Sequence, residues 1–332
     1  MTPKRILYPI PGDDEGGELH LFGDACSKNV AIMCAGFPDD QTVMTPLAIK
    51  LSERGILVGV MCLPGYQYKV GEKTWRDCKK YGYTFDEIVS CIREAVKALK
   101  AQSRETNPRL TGIFHDWGAP VGSIWANTCE EDGSSDAPDE LILIDVLGPH
   151  RTMVKSNVDL FDLLVTIAYR FVNALSFLLG PFLGVFSMLI GYGIIRLLRI
   201  GPLNFHKDLN MINLRIQRNQ WIVQHWIYMS YIYYQMFRDA MLDKKLIHYF
   251  KFPKDLNKCP LLYLYGTEKR VMFHYPESVE ILQLEHKKCL NKSNAIGFKG
   301  GHWLYTEDQA FYPCLEAISD FILEDKKTTK NT

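Results

Sequence analysis

Short apolar runs alternate with longer segments of helical periodicity along most of the chain. Eight of these runs are four to six residues long and have the composition of β-strands: residues 5–10, 19–23, 30–33, 57–61, 111–115, 141–146, 261–264 and 295–298. The first two follow each other closely and predict a hairpin. The later runs are separated by helical patterns, which predicts parallel strands joined by right-handed crossovers. The pattern predicts an α/β fold around a mostly parallel, eight-stranded sheet.

Two of the helical segments have clear sequence signatures. Thr84 and Glu87 stand three residues apart at the start of an amphipathic run, which is the spacing of a capping box. This helix is expected to pack on the sheet. A second amphipathic run, residues 310–324, is the last regular element. The lysine- and threonine-rich residues 326–332 are expected to form a flexible tail.

Residues 151–250 interrupt the alternation of strands and helices. They contain no strand-like run bounded by turns, and aromatic and aliphatic helical material dominates. We therefore interpret this segment as a helical module inserted into one α/β core. The core is formed by residues 1–150 and 251–325.

The composition narrows the classes of function. The 332 residues carry 38 Lys and Arg against 38 Asp and Glu, which argues against a general nucleic-acid binder because such proteins depend on surplus cations. Nine scattered cysteines without CxxC pairs indicate buried thiols rather than a disulfide framework or a zinc site, and they favour a reducing compartment. Residues 1–17 lack the apolar stretch of a secretory signal, so we expect a cytoplasmic protein.

The candidate chemistry lies where the fifth predicted strand turns sharply into a helix. Asp116 stands at the centre of that turn, shortly before Gly118. A strained turn of this kind holds one side chain out over the sheet as a nucleophile, and serine is its usual occupant. A carboxylate that attacks an sp³ carbon forms an ester, whose carbonyl carbon water can attack in a second step. Asp116 therefore indicates alkyl transfer rather than acyl transfer.

The sequence around Asp116, His-Asp-Trp-Gly-Ala, resembles the nucleophile turn of epoxide hydrolases and haloalkane dehalogenases. These enzymes form the Asp-nucleophile branch of the α/β-hydrolase superfamily. Three further motifs follow the order of that family: Gly36-Phe37-Pro38-Asp39, Leu63-Pro64-Gly65-Tyr66 and Gly300-Gly301-His302-Trp303. The resemblance covers residues 31–322 outside the insertion. It implies an α/β-hydrolase fold in which residues 151–250 form a cap over the active site.

The resemblance also implies roles for individual residues. Asp116 would be the nucleophile, and His302 would activate the water that hydrolyses the ester. The backbone N–H groups of Phe37 and Trp117 would form the oxyanion hole. The Trp117 indole could also face a leaving group. This chemistry requires neither a cofactor nor a metal ion.

More than one residue is a candidate for the acid that orients His302. Many relatives carry it in a G-x-x-D pattern after the seventh strand, but that position is Lys269 here. Other relatives carry it at the end of the sixth strand, where this sequence has Asp145. A carboxylate inside an apolar strand needs a partner, which makes Asp145 our first candidate. The alternatives are Glu268 and no acid at all.

Further departures from the family pattern predict an altered site. Cys34 or Ala35 replaces the histidine that often precedes the Gly-Phe-Pro motif, and Phe114 takes the place of a small residue two positions before the nucleophile. We expect Phe114 to crowd the turn. Lys269 could pair with Asp116, which would weaken the nucleophile.

The insertion contains an unusually apolar stretch. Residues 171–195 carry no charged side chain and, as one helix, would be about 37 Å long, enough to span a bilayer. A single crossing would separate Asp116 from His302, so we exclude it. Gly180 and Pro181 are expected to break the stretch into two arms. These arms form either cap helices over a substrate tunnel or an interfacial hairpin on a membrane surface, and both alternatives predict a lipophilic substrate.

Tyrosines in the predicted cap help to distinguish between the possible reactions. Epoxide hydrolases use such tyrosines to protonate the opening oxygen, and the candidates here are Tyr231 and Tyr234. They favour an epoxide hydrolase-like enzyme over a haloalkane dehalogenase-like one. The third alternative is a non-catalytic, membrane-associated relative. It would be favoured if His302 lay more than about 4–5 Å from every carboxylate except Asp116. Substrate identity and oligomeric state stay open.

Overall fold

An eight-stranded sheet forms the centre of the molecule in the computed structural model, which describes residues 3–69, 74–75, 82–149, 160–183, 228–242, 251–253, 255–269 and 273–324. The strands are β1 (Lys4–Ile10), β2 (Asp13–Phe22), β3 (Asn29–Cys34), β4 (Ile56–Met61), β5 (Arg109–His115), β6 (Glu140–Ile144), β7 (Leu261–Gly266) and β8 (Asn294–Phe298). Their spatial order is β1-β2-β4-β3-β5-β6-β7-β8. Strand β2 pairs antiparallel with β1 and β4, and the other neighbours are parallel. The predicted fold class is confirmed.

Strand β2 is longer than its apolar run. It begins at Asp13 and not at residue 19, because Ile10 pairs with Asp13 across a tight turn. The added half, residues 13–18, is polar and mostly accessible to solvent. Apolar patterning identifies only the part of a strand that faces a core, so it missed this half.

The helices, in chain order, are α1 (Thr45–Ser52), α2 (Phe85–Lys100), α3 (Gly118–Asp132), α4 (Leu160–Leu183), α5 (Tyr231–Leu242), α6 (Pro276–Lys287) and α7 (Phe311–Leu323). The predicted capping box starts α2. The Thr84 hydroxyl accepts a hydrogen bond from the Glu87 backbone nitrogen at 3.2 Å, and the Glu87 carboxylate accepts one from the Thr84 nitrogen at 2.9 Å. Such a cap stabilises a helix by about 1 kcal/mol.

Two apolar cores lie on the two faces of the sheet. Successive side chains of β3 alternate between them: Val30 and Ile32 join the core under α2 and α3, whereas Ala31 and Met33 join the core under α1 and α7. Period-two alternation in a strand that is buried on both faces produces a continuous apolar run, as the sequence has here. The carboxyl ends of the parallel strands therefore meet at one edge of a rigid layer.

Helices α4 and α5 lie within residues 151–250, the predicted insertion, and contact both each other and the core. The Tyr169 and Tyr233 hydroxyls lie 2.9 Å apart across the two helices. The Tyr66 hydroxyl donates to the Met229 carbonyl, and the Tyr231 hydroxyl donates to the Pro64 carbonyl at 2.9 Å. These two bonds attach the insertion to the loop after β4.

The expected break at Gly180 and Pro181 is wrong, because both residues lie within α4, which remains helical to Leu183. A proline removes one backbone hydrogen bond, and packing of α4 against α5 can outweigh that loss. The second arm of the apolar stretch, residues 184–195, and the predicted flexible tail, residues 326–332, lie outside the described residues. None of the described helices is both long enough and apolar enough to cross a bilayer.

Candidate active site

The turn between β5 and α3 has the strained geometry expected of a nucleophile position. Asp116 has a φ of +52°, which is uncommon for a residue other than glycine. The chain can turn there because two residues that lie against the turn, Gly36 and Gly118, have no side chain. A Cβ on Gly36 would lie 2.5 Å from Asp116 Oδ1, and a Cβ on Gly118 would lie 2.6 Å from the Cys34 carbonyl oxygen. Both glycines are therefore required for the close approach of the β3 loop to the turn.

Phe114 does not crowd this turn, contrary to expectation. Its ring is fully buried beside Trp125, with 5.8 Å between ring centroids. A Cβ on Gly112 would lie 2.6 Å from the Phe114 ring, and a Cβ on Gly122 would overlap it. Two glycines on β5 and α3 thus supply the space that a large residue needs at this position.

His302 is hydrogen-bonded to two carboxylates. Its Nε2 lies 3.1 Å from Asp116 Oδ2, and its Nδ1 bonds to Asp145 Oδ2 on the opposite side of the ring. Asp145 follows β6, is fully buried and has a φ of +67°. The structure therefore brings together Asp116, His302 and Asp145, the three residues that the sequence predicted for catalysis.

Glu268, the alternative acid, does not take part in this arrangement. Its carboxylate is exposed and lies 3.8 Å from Lys299 Nζ. The Glu268 backbone nitrogen donates to the Gly300 carbonyl, and this bond holds the main chain of Glu268 beside the loop that carries His302 while its side chain points to solvent.

Lys269 pairs with Asp145 and not with Asp116. The predicted ion pair between Lys269 and Asp116 is therefore wrong. The Lys269 ammonium donates to Asp145 Oδ1 at 2.5 Å and to the Asp145 carbonyl oxygen at 3.0 Å. The Gly266 nitrogen also donates to Asp145 Oδ1, at 3.2 Å. The lysine side chain is only 5% exposed, so this charge lies inside the protein.

Burial and neighbouring charges oppose each other at these groups. Burial lowers the proton affinity of His302, but the Asp145 and Asp116 carboxylates outweigh it and raise the His302 pKa to about 9. Burial alone would raise the pKa of Asp145. Lys269 and His302 outweigh that effect and hold the Asp145 pKa below its ordinary value. At neutral pH these charges favour a protonated imidazole between the Asp116 and Asp145 side chains.

His115, directly before the nucleophile, anchors the histidine loop. Burial, together with the charge of His302, lowers the His115 pKa to about 3, so its ring is neutral. Its Nε2–H donates to the His302 carbonyl oxygen at 2.9 Å, and its Nδ1 accepts from the Tyr305 hydroxyl at 3.0 Å. Sequence reasoning assigned no role to His115, although a histidine at the end of an apolar strand was a usable signal.

Two further bonds fix the loop after β8. The Trp303 indole N–H donates to Asp39 Oδ2 at 2.5 Å, which joins this loop to the loop after β3. The Glu307 carboxylate accepts from the Gly301 nitrogen at 2.7 Å. Together with the bond from His115, these two bonds hold the loop of His302 at three points. A buried side chain on a supported loop keeps a defined position.

The Phe37 backbone N–H, which the resemblance implies as an oxyanion-hole donor, lies beside the Asp116 carboxylate. It donates to Asp116 Oδ1 at 2.7 Å. The Trp117 nitrogen stands on the same side of the turn, since a Cβ on Gly36 would meet both it and Asp116 Oδ1. These two donors can therefore face an oxygen carried by the Asp116 carboxyl carbon.

Neither predicted cap tyrosine faces the nucleophile. Tyr231 donates to the Pro64 carbonyl, and the Tyr234 ring packs against Phe177. Helical residues two positions apart point about 200° apart, so Tyr233 points the other way from Tyr231. The aromatic pattern alone did not determine this rotation.

Tyr233 and Tyr169 lie on the nucleophile's side of the insertion. The Tyr233 ring lies edge-on to Phe37 and to Trp117, at 5.1 Å and 5.0 Å between centroids. Its hydroxyl contacts the Tyr169 hydroxyl and is also hydrogen-bonded to the Trp117 side chain. Burial raises the pKa of both tyrosines, and the Asp116 charge raises them further. Both phenols are therefore protonated and able to donate.

In the described ranges, no group of three or more His, Cys, Asp or Glu side chains is arranged to hold a metal ion. None of the eight cysteines of these ranges forms a disulfide bond, and five of them are buried: Cys34, Cys62, Cys91, Cys129 and Cys314. The Cys34 thiol donates to the carbonyl of Ala35, and these are the two residues that compete for the position of the histidine before the Gly-Phe-Pro motif.

Comparison with solved structures finds the same architecture in proteins of low sequence identity. A laboratory-evolved variant of potato epoxide hydrolase matches with 15% identity and a TM-score of 0.60, over 96% of this chain and 98% of that chain. An epoxide hydrolase from Vigna radiata matches with 16% identity and a TM-score of 0.59, over 97% and 96%. A thermophilic esterase from Thermogutta terrifontis matches with 16% identity and a TM-score of 0.55, over 96% and 97%.

Sequence comparison gives no match, either to a protein-family model or to a curated protein. Because the structural neighbours include an esterase beside the epoxide hydrolases, the likeness concerns architecture and not one reaction. With its strand order, its strained turn at Asp116 and these neighbours, the chain has the α/β-hydrolase fold.

Proposed function

We propose that this protein is a hydrolase that forms a covalent alkyl ester on Asp116 and converts lipophilic epoxides to diols. The observation that carries the proposal is the position of His302, whose two ring nitrogens contact Asp116 and Asp145. A histidine beside the nucleophile and oriented by a second carboxylate is the arrangement needed to activate water against an ester.

In the proposed first step, an Asp116 oxygen attacks a ring carbon of the epoxide. The C–O bond of the ring breaks, and its electron pair stays on the ring oxygen. Tyr233, with Tyr169 behind it, donates the proton that this oxygen needs. The raised pKa of each phenol supports this assignment, since both stay protonated at neutral pH.

In the second step, His302 takes a proton from water while the water oxygen adds to the carboxyl carbon of the Asp116 ester. The Phe37 and Trp117 N–H groups stabilise the tetrahedral oxyanion, by about 3 kcal/mol per donor. Collapse of this intermediate breaks the ester C–O bond, and the leaving oxygen takes the proton of the newly added hydroxyl, which releases the diol and restores the Asp116 carboxylate. Asp145 holds the imidazole in place throughout, because its bond to Nδ1 leaves Nε2 facing the ester.

The choice of epoxides over haloalkanes rests on the cap side of the site. A departing halide needs free donors such as an indole N–H, and the Trp117 side chain is hydrogen-bonded to Tyr233. A departing alkoxide needs a proton, which the tyrosine pair can supply. Haloalkane hydrolysis is therefore the second candidate, and the Tyr169–Tyr233 contact disfavours it.

The non-catalytic alternative predicted a His302 far from every carboxylate except Asp116. The bond between His302 and Asp145, and the engagement of Lys269 with Asp145, argue for catalysis instead. The rings of Phe37, Trp117 and Tyr233 around the nucleophile support an apolar substrate.

The proposed function is tested by trapping the ester. His302→Gln is expected to form the ester but not to hydrolyse it, so mass spectrometry of the Asp116 peptide should show the mass of the added epoxide. Styrene-type epoxides, fatty epoxides, haloalkanes and short esters are the substrates to compare. The matched control is His286→Gln, which changes an exposed histidine on α6. Wild-type turnover of none of these substrates, with no adduct in the variant, would refute the proposal.

We further propose that α4 contacts a membrane surface, from which a lipophilic substrate would enter. Five apolar side chains on one face of the helix are 39–57% exposed: Leu164, Ile167, Phe171, Leu175 and Leu178. A stripe of this kind suits the interface of a bilayer. Flotation with phospholipid vesicles should recover the wild type but not Phe171→Glu, while Leu290→Glu, at an exposed leucine elsewhere, should still float. Equal recovery of both variants would refute the contact.

A further inference from the structure

Lys269 belongs to a row of charged groups that runs through the site. Its ammonium bonds Asp145 Oδ1, the other oxygen of Asp145 bonds His302 Nδ1, and His302 Nε2 bonds Asp116. Positive and negative groups alternate along this row. The Lys269 side chain is 5% exposed and that of Asp145 is fully buried, so water screens their interaction with His302 only weakly.

We propose that Lys269 is a positioning residue: by balancing the Asp145 charge, it lets His302, which is protonated while Asp116 is ionised, release that proton once Asp116 is esterified. The inference rests on the proposed function, since it concerns the ester formed there. It assigns a role to a residue that stands where relatives carry the catalytic acid.

The charges of the row balance differently in the two states. With Asp116 ionised, two carboxylates oppose one lysine, and a protonated His302 brings the row to neutrality. Once Asp116 is an ester it carries no charge, and Lys269 alone balances Asp145. A neutral imidazole then completes a neutral row, which a buried site favours.

This release of a proton fits the two steps of the reaction. The proton that His302 loses replaces the one that the tyrosine gave to the ring oxygen, so the first step leaves no net charge in the site. The neutral Nε2 can then take a proton from water. Without Lys269, the Asp145 charge would keep His302 protonated in the ester state, and the base would be blocked.

The other titratable or charged groups around the row are His115, Tyr263, His274, Glu307, Glu268, Arg170, Tyr169 and Tyr233. Burial lowers the pKa of His115 to about 3 and that of His274 to about 4, so both are neutral above pH 5. The three tyrosines are protonated. The remaining charges are the same with and without the ester, so they do not produce the switch.

Titration of His302 by NMR tests the proposal without altering Lys269. Asp116→Asn imitates the uncharged ester, and a His302→Gln spectrum identifies the signal. The pKa of His302 is expected to fall from about 9 in the wild type to its ordinary value of about 6.5 or below in Asp116→Asn. A value that stays above about 7.5 would overturn the proposal, because Asp145 would then act uncompensated.

The second test follows hydrolysis of the ester in single-turnover experiments as a function of pH. In Lys269→Gln the rise in rate is expected at a pH higher by roughly one unit, because the uncompensated Asp145 raises the His302 pKa. Lys269→Arg should keep the wild-type profile. Lys299→Gln, which removes an exposed lysine, is the matched control.

An unshifted profile in folded Lys269→Gln overturns the role of Lys269, whereas failure to form any ester on Asp116 overturns the proposed function instead. Circular dichroism shows whether Lys269→Gln folds. If it does not, the titration of Asp116→Asn decides the question by itself.

Discussion

The two sides of the candidate active site, the α/β core and the predicted cap, are held in different ways. On the core side, Asp116 and Asp145 end neighbouring parallel strands, and His302 lies in the loop after β8; hydrogen bonds from Phe37 and Lys269 fix the carboxylates. On the cap side, the facing groups come from the surfaces of α4 and α5. Strand order alone brings the core groups together, whereas helix rotation decides which cap side chain reaches the site. The core is therefore readable from motifs, and the cap is not.

The largest expected effect comes from the core side. Asp116→Asn removes the attacking oxygen without changing the shape of the turn, and kcat on an epoxide is expected to fall by roughly 10⁴-fold or more. Steady-state kinetics and the absence of an adduct by mass spectrometry check this result. Retention of more than a tenth of the activity would show that the nucleophile lies elsewhere.

Asp145→Asn tests the second carboxylate of the core. The amide keeps the shape but not the charge, so His302 loses its orienting anion, and kcat is expected to fall by roughly 10³-fold. Buried Lys269 would lose the carboxylate that balances its charge, which should lower the free energy of unfolding by about 3 kcal/mol. Thermal denaturation checks this loss. Glu268→Gln, at the exposed alternative acid, is the control and should behave as the wild type.

On the cap side, Tyr233→Phe is expected to lower kcat on epoxides by roughly 10²-fold, since the opening oxygen loses its proton donor. Haloalkane turnover, where present, should not fall. Tyr234→Phe, the neighbouring tyrosine that packs on Phe177, should leave kcat nearly unchanged. Equal losses in both variants would mean that α5 is rotated differently during turnover.

The smallest effect is expected at the bond between the two regions. Tyr231→Phe removes the hydrogen bond to the Pro64 carbonyl, which should lower the free energy of unfolding by about 1 kcal/mol. Chemical denaturation measures this change. A large loss of kcat instead would show that Tyr231 reaches the substrate and would contradict its assignment as a structural residue.

The sequence was informative wherever one-dimensional order carries the geometry. Alternation of apolar runs predicted the strands, and the positions of Asp116, Asp145 and His302 at strand ends predicted which groups could meet. It failed at β2, whose first half is polar, and at Pro181, which α4 accommodates. In these two cases, pairing and packing outweighed the local signal.

The amino-acid sequence by itself determined the fold class and the chemical groups on the core side of the site, because strand order and tight turns are local properties of the chain. Only the tertiary structure decided that Lys269 pairs with Asp145, that Phe114 fits between glycines and that Tyr233 rather than Tyr231 packs on Phe37 and Trp117 beside Asp116. Each of these depends on distances between segments far apart in the chain, which no local pattern contains.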